Sequence, residues 1–278
     1  MPKKALITGS RGDIGSMLYA LYKRYGLSIE PFNADIASDT KADIIIHMAA
    51  KSPPSSPCDI LTSNIVYLKK VVDYALSHGI NKMIYFSSVS VYGSQNKEDL
   101  SEEEYLNSPG LYGASKLFGE MYLKESALKH VLAIRFPGIL GVKNTTNIFG
   151  RCYVKLKNNE DIEITNPHRL FNNFICVENL FDFITTTEMK EKFDVINVAS
   201  EKTMTLFEIV NFMKTLLNSD SKIIESSRKS DFFNISTQKA QTLYGFNPYD
   251  AKAAVELWIK NRIAYIENNQ TCQKSEIF

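Results

Sequence analysis

Cysteine is scarce in this chain of 278 residues. The four present, Cys58, Cys152, Cys176 and Cys272, form no C-x-x-C pair and no metal-ligand spacing. That argues against a disulfide framework and leaves them as thiols in a reducing compartment. Histidine is equally sparse, and His47, His78, His130 and His168 show no ligand spacing, so no metal is expected. Excess charge of either sign is missing too. With 32 basic and 31 acidic side chains the formal charge is +1, which argues against nucleic acid or an anionic membrane as partner. No run approaches the roughly 18 to 20 apolar residues that cross a bilayer. The N-terminal Met1-Pro2-Lys3-Lys4 leads directly into Ala5-Leu6-Ile7, too short an apolar stretch for a signal-peptide core. The expected location is cytoplasmic.

What is present is an ordinary globular composition, 44% hydrophobic, 11% aromatic and 23% charged. The length suits one large domain with a smaller lobe. Short apolar runs at 5–7, 43–47, 82–86 and 131–134 read as buried strands. Between them, residues 14–25, 64–78 and 112–128 repeat apolar side chains at helical spacing. Strands alternating with helices predict an α/β fold, a doubly wound parallel sheet of Rossmann type with a smaller C-terminal α/β substrate lobe. The first domain is expected over 1–165, rejoined by a strand within 174–200, and the lobe and C-terminal tail over 166–278. Residues 144–167 are polar and read as a loop-rich passage, and the pattern after Tyr265 reads as a disordered tail.

The first strand runs into Gly9-Ser10-Arg11-Gly12-Asp13-Ile14-Gly15, a G-x-x-G-x-x-G loop that opens a helix. Glycines there allow a tight turn and close approach of a pyrophosphate, which the free N–H groups of the helix N-terminus attract. No Gly-Lys-Ser/Thr follows, so this is not a phosphate-transfer loop. Some 20 residues beyond such a loop an acid usually meets the adenosine ribose of NAD. Asp35 stands there, with Asn33 an equal candidate. Arg11 suits the 2′-phosphate of NADP, although a solvated surface charge explains it as well. The balance tips slightly to NADP.

Tyr112-Gly113-Ala114-Ser115-Lys116 puts a phenol and an ammonium on one helix face. A nearby positive charge lowers a phenol's pKa and makes it an acid–base group. Upstream, Ser87-Ser88-Val89-Ser90 closes a strand in hydroxyls, at the end of a parallel sheet where ligands bind.

Together these features resemble the extended short-chain dehydrogenase/reductases, the group of nucleotide-sugar epimerases, dehydratases and reductases. Further likeness lies in His47-Met48-Ala49-Ala50, Asn64, Arg135-Phe136-Pro137-Gly138, residues 173–178 and Asn197-Val198-Ala199-Ser200. The resemblance implies Tyr112 as acid/base, Lys116 as its orienter and ribose ligand, and Ser88, rather than Ser87 or Ser90, on the substrate oxygen. It further implies a cofactor cleft lined by Gly9, Arg11, Gly12, Asp13, Ile14, Gly15, Asn33, Asp35, Ala49, Ala50, Asn64, Ser87, Tyr112, Lys116 and Pro137. Substrate contacts would come from Ser88, Ser90, Gly138 and Arg228, with Arg151 and Lys155 as further diphosphate candidates. It also implies a homodimer built on the helices from Asn64 and Tyr112, and a role in surface-polysaccharide sugar synthesis. Ser88-Val89-Ser90 replaces the Thr-Asp-Glu pattern of sugar 4,6-dehydratases, so no carboxylate is at hand for elimination. The expected reaction is reduction of a 4-keto sugar carried on a nucleotide. The alternatives are a 4-epimerase and, from another class, a dinucleotide-sensing regulator, which would need no acid/base pair.

Overall fold

The computed structural model describes residues 4–35, 40–228 and 231–275, with side chains to residue 269. The first half runs β1 (Ala5–Thr8), α1 (Asp13–Arg24), β2 (Ile29–Pro31), β3 (Ile44–His47), α2 (Pro57–Leu61) and a π-helical turn over Thr62–Val66. Then come α3 (Tyr67–Ser77), β4 (Lys82–Ser88), a 3-10 turn over Val89–Tyr92, β5 (Asn96–Leu100), α4 (Leu111–Glu125) and β6 (His130–Phe136). The second half runs β7 (Gly138–Leu140), α5 (Ile148–Lys157), β8 (Ile162–Ile164), β9 (Phe174–Cys176), α6 (Val177–Thr186) and β10 (Phe193–Asn197). It ends with α7 (Leu206–Leu216), β11 (Ile223–Glu225), β12 (Phe232–Ile235), α8 (Gln238–Tyr244) and α9 (Ala251–Ser275).

Six strands form one parallel sheet in the order β10-β6-β4-β3-β1-β2. Helices cover both faces, so its central strands are apolar throughout rather than alternating. Successive residues still point to opposite sides. Ile7, Ile46, Ile84 and Ile134 pack with α1 and α6, whereas Leu6, Ile45, Met83 and Ala133 pack with α3 and α4. The winding reverses between β1 and β3, which opens a crevice at their C-terminal ends.

A third apolar cluster, centred on Phe149, Tyr153, Phe174, Ile209, Val255 and Trp258, is the core of the smaller lobe. It includes Ile162 and Ile164 of β8, so residues 148–164 pack with the lobe, and a boundary at 165 cuts through its core. The stretch read as loop contains α5, whose Phe149, Cys152, Tyr153 and Leu156 share one buried face. The stretch read as tail continues α9 through Ser275. β5, exposed except at Leu100, reaches across to pair in parallel with β12 of the lobe. Cys58, Cys152 and Cys176 are free thiols, and the side chain of Cys272 lies outside the described residues. Among the described residues no helix is long and apolar enough to cross a membrane, and no cluster of acidic, His or Cys side chains could hold a metal ion.

Candidate active site

The crevice begins at Gly9, whose φ of +76° is a left-handed conformation that suits glycine. A Cβ there would lie 2.9 Å from the Ala49 amide nitrogen, so the ends of β1 and β3 touch. Thr8 fastens them. Its Oγ1 accepts hydrogen bonds from the Met48 and Ala49 amides, both at 3.1 Å, and lies 2.9 Å from His47 Nδ1. Gly12, the N-cap of α1, offers no side-chain acceptor, which leaves the first-turn amides open to an anion. From this turn a groove of about 670 Å³ extends past Gly9, Ser10, Arg11, Asn33, Asp35, Ala49, Lys51, Tyr67 and Lys70.

A second cavity, about 640 Å³, opens beside Tyr112. Its walls are Pro53, Ser55, Pro57, Ile60, Val89, Ser90, Gly93, Gly110, Leu111, Gly113 and Phe233, with no charged side chain among them. Ser88 lies at the head of the 3-10 turn, where its Oγ accepts from the Ser90 amide and donates to Ser90 Oγ, both at 3.1 Å. Burial raises the Tyr112 pKa above the usual phenol value, and the hydrogen bond with Ser88 opposes that rise. Tyr112 is thus a protonated phenol at neutral pH. Gly113 lets α4 press onto the Ser88–Ser90 turn, since a Cβ there would lie 2.1 Å from the Ser90 carbonyl oxygen.

Lys116 is fully buried and donates from Nζ to the Phe86 carbonyl at 2.7 Å, above the Tyr85 ring. Burial lowers its pKa to about 7, against the opposing pull of Glu120. The expected lowering of the Tyr112 pKa by Lys116 is therefore absent in this state: the ammonium is engaged with Phe86, and burial dominates the phenol. A stability consequence follows. The unfolded lysine keeps its proton to about pH 10.5, whereas the folded one releases it near 7. Between those values the unfolded chain binds more protons, so Lys116 makes stability rise with pH. In urea titrations from pH 7 to 10, wild type should gain stability relative to Lys116→Met; a constant difference would contradict the assignment.

Residues 5–199 match the model of the NAD dependent epimerase/dehydratase family. The chain belongs to that family. An uncharacterized protein of Methanocaldococcus jannaschii is 25% identical over 197 residues, which are 66% of this chain and 60% of that protein. Among solved structures, the UDP-glucuronic acid 4-epimerase of Bacillus cereus with NAD superposes at a TM-score of 0.76, with 18% identity over 93% of this chain and 99% of the other. The RMD protein of Pseudomonas aeruginosa with NADPH superposes at 0.75, with 17% identity over the same shares. At these identities the likeness shows the fold. The Rossmann sheet anticipated from the sequence is thereby confirmed, and the family match bears out the resemblance read from the motifs.

The crowded Gly9–Ala49 contact and the uncapped start of α1 fit a dinucleotide, with Gly9, Arg11, Asn33, Asp35 and Ala49 along its groove. Other expected contacts fall elsewhere in this epimerase/dehydratase member. Ser87 points to the opposite face from Ser88 and donates to Glu120 Oε1 at 2.5 Å. Asn64 clamps the Lys51 backbone through both amide atoms and donates to Ser115 Oγ at 2.9 Å, tying the groove wall to α4. The Asp13 carboxylate accepts from the Lys143 amide, leaving only its backbone toward the groove. Ile14 packs into the core, and Gly15 is a packing glycine whose Cβ would strike the Gly9 carbonyl. Ala50 is exposed and Pro137 buried, and neither lines the groove. Gly138 is exposed at the start of β7, where a Cβ would lie 3.5 Å from the Asn173 carbonyl oxygen. Arg228 is exposed outside both cavities, Arg151 bonds the Thr146 carbonyl, and Lys155 bonds the Asp161 carbonyl.

Three functional positions escaped the sequence reading. Thr8 joins the strand ends. Phe233 reaches the cavity from the lobe. Glu120 makes a buried bidentate pair with Arg135, at 3.0 and 2.8 Å, behind Lys116. Its one sequence signal is its place on α4, four residues beyond Lys116, on the same face. His47 is no base: burial and then the Lys116 charge lower its pKa to about 3, and it stacks on Tyr85.

Proposed function

We propose that the enzyme reduces a 4-keto group on a nucleotide-activated hexose or deoxyhexose, with Tyr112 as the acid. The observation that carries this reading is the buried, protonated Tyr112, paired with Ser88 at a cavity that has no carboxylate among its lining residues. Ser88 holds the keto oxygen, and Tyr112 protonates that oxygen as it becomes an alkoxide. When bound, the reduced dinucleotide supplies the hydride to C4. The family resemblance would have Lys116 steady the phenol and the cofactor ribose, a role that requires its Nζ to leave the Phe86 carbonyl it now binds. Elimination of water would need a further acid and base, and the cavity offers neither. Given a panel of nucleotide-linked 4-keto sugars, the enzyme should consume one reduced cofactor per product. Product formed from a 4-hydroxy sugar without net consumption would instead establish the 4-epimerase reading.

Within this reading NADPH is the preferred cofactor. Asp35, the candidate ribose ligand, is neutralised by Lys70 at 2.5 Å, whereas Arg11 has no ion-pair partner among the described residues. NADPH should bind at least about tenfold tighter than NADH, and Arg11→Ser should abolish the difference, since a charge-assisted hydrogen bond is worth roughly 1.5–3 kcal/mol. Tighter binding of NADH in fluorescence titrations would contradict it.

The proposed assembly is a homodimer through α3 and α4. Phe118 and Met121 on α4 are 47% and 60% exposed, and Val66, just before α3, is 51% exposed, an apolar face suited to a second copy. Sedimentation should give a dimer that Phe118→Glu dissociates. A role in surface-polysaccharide sugar synthesis agrees with this chemistry and rests on the family resemblance alone.

A further inference from the structure

We infer that the cavity beside Tyr112 is built for a sugar whose C6 is a methyl group, and that Phe233 is the wall that excludes a charged C6. The inference rests on reading that cavity as the sugar subsite. It uses the bonding of a hexose: C6 stands two bonds from C4, so side chains around the reacting oxygen also surround the C6 substituent. Around Tyr112 those neighbours are Val89, Ile60, Leu111, Pro57 and Phe233. No cation lines the cavity. Arg11, Lys51 and Lys70 line the other groove, and Lys116 Nζ is turned onto the Phe86 carbonyl. A C6 carboxylate would lose its water here and gain no counter-charge, whereas a methyl group meets apolar walls. A C6 hydroxyl is intermediate. Ser90 Oγ accepts from Ser88 and keeps its own proton to donate, and Ser55 adds a second hydroxyl to the wall, so a C6 hydroxyl finds a partner where a carboxylate finds no counter-charge.

Phe233 is held rather than loosely placed. β12 pairs with β5 at Phe233 and Lys97, and Asn173 donates from Nδ2 to the Phe233 carbonyl at 2.6 Å. Next to it, Asn172 accepts from the Ile235 amide and donates to the Ile235 carbonyl, so β12 is stitched to the segment leading into β9. These contacts fix the lobe strand that brings the ring to the cavity.

The test is calorimetric titration of the Tyr112→Phe protein, with NADP bound, using 6-deoxyhexose, hexose and hexuronic acid each linked to UDP, dTDP or GDP. Within one nucleotide series the common part cancels, so the affinity ratio reads the sugar subsite. The 6-deoxy sugar should bind about ten- to a hundredfold tighter than the hexose and at least about a hundredfold tighter than the uronic acid. Phe233→Arg should raise affinity for the uronic acid at least tenfold, and Leu111→Arg, at another lining residue of the same cavity, serves as a second variant. Uronic acid binding within tenfold of the 6-deoxy sugar would overturn the inference while leaving the reductase reading intact if keto sugars still consume NADPH. Unchanged uronic acid affinity in both folded variants would overturn the role of Phe233. Binding by no sugar in any series would remove the subsite reading, and the inference with it.

Discussion

Replacing Tyr112 by phenylalanine is expected to lower turnover by about 10²–10⁴-fold, the usual contribution of a positioned general acid. Cofactor affinity should stay within about twofold of wild type, because the phenol hydroxyl faces Ser88 rather than the dinucleotide groove. The expected loss lies in kcat, with the substrate dissociation constant little changed, since the proton moves only as negative charge develops on the oxygen. Measuring single-turnover rates alongside cofactor titration separates the two quantities. A Tyr112→Phe protein of near-normal rate would remove the phenol from the reaction, and one that no longer binds cofactor would make it a structural residue.

The second large effect is on stability and belongs to Glu120 and Arg135. The pair is almost completely buried, with side-chain exposures of 5% and 6%, and each partner has further bonds: Ser87 to Glu120, and Arg135 to the Glu102 carbonyl and above the Tyr92 ring. Removing one charge strands the other without water. Glu120→Ala or Arg135→Ala should therefore lose about 3–5 kcal/mol in urea unfolding. The double change Glu120→Leu with Arg135→Met should recover much of that loss, because two apolar side chains strand no charge. Additive losses in the double variant would contradict the buried-pair account. Glu120 also supports the proton on Lys116, so Glu120→Gln, which keeps the shape, should leave less of the ammonium at neutral pH.

The sheet was legible because parallel strands covered on both faces are written as unbroken apolar runs, such as Ile44-Ile45-Ile46, punctuated by Gly9 and Gly79. Tyr112, Ser88 and the Gly9 turn were legible because their chemistry is tied to spacing along one helix or strand. What escaped depends on contacts remote in sequence. β5 is the polar run Asn96-Lys97-Glu98-Asp99, and it becomes a strand because β12, far along the chain, offers it a partner. α5 was hidden by the polar residues flanking it, although Phe149, Cys152, Tyr153 and Leu156 follow a helical repeat. Ser87 and Asn64 carry side chains suited to a cofactor, yet strand alternation and a π-helical turn direct them to Glu120 and to the Lys51 backbone. Asn172 and Asn173 are amide clamps for β12, a role set by a strand remote in sequence.

The central assignment is that hydride arrives at C4 of a sugar held by Ser88 while Tyr112 delivers the proton. It is tested most directly with NADPH deuterated at both C4 positions, supplied in one equivalent with a nucleotide-linked 4-keto sugar. The account predicts one deuterium at C4 of the product for each NADPH oxidised, and none at C4 with the Tyr112→Phe protein over the same time. Sugar product without deuterium at C4, or NADPH left unoxidised as product forms, would contradict it.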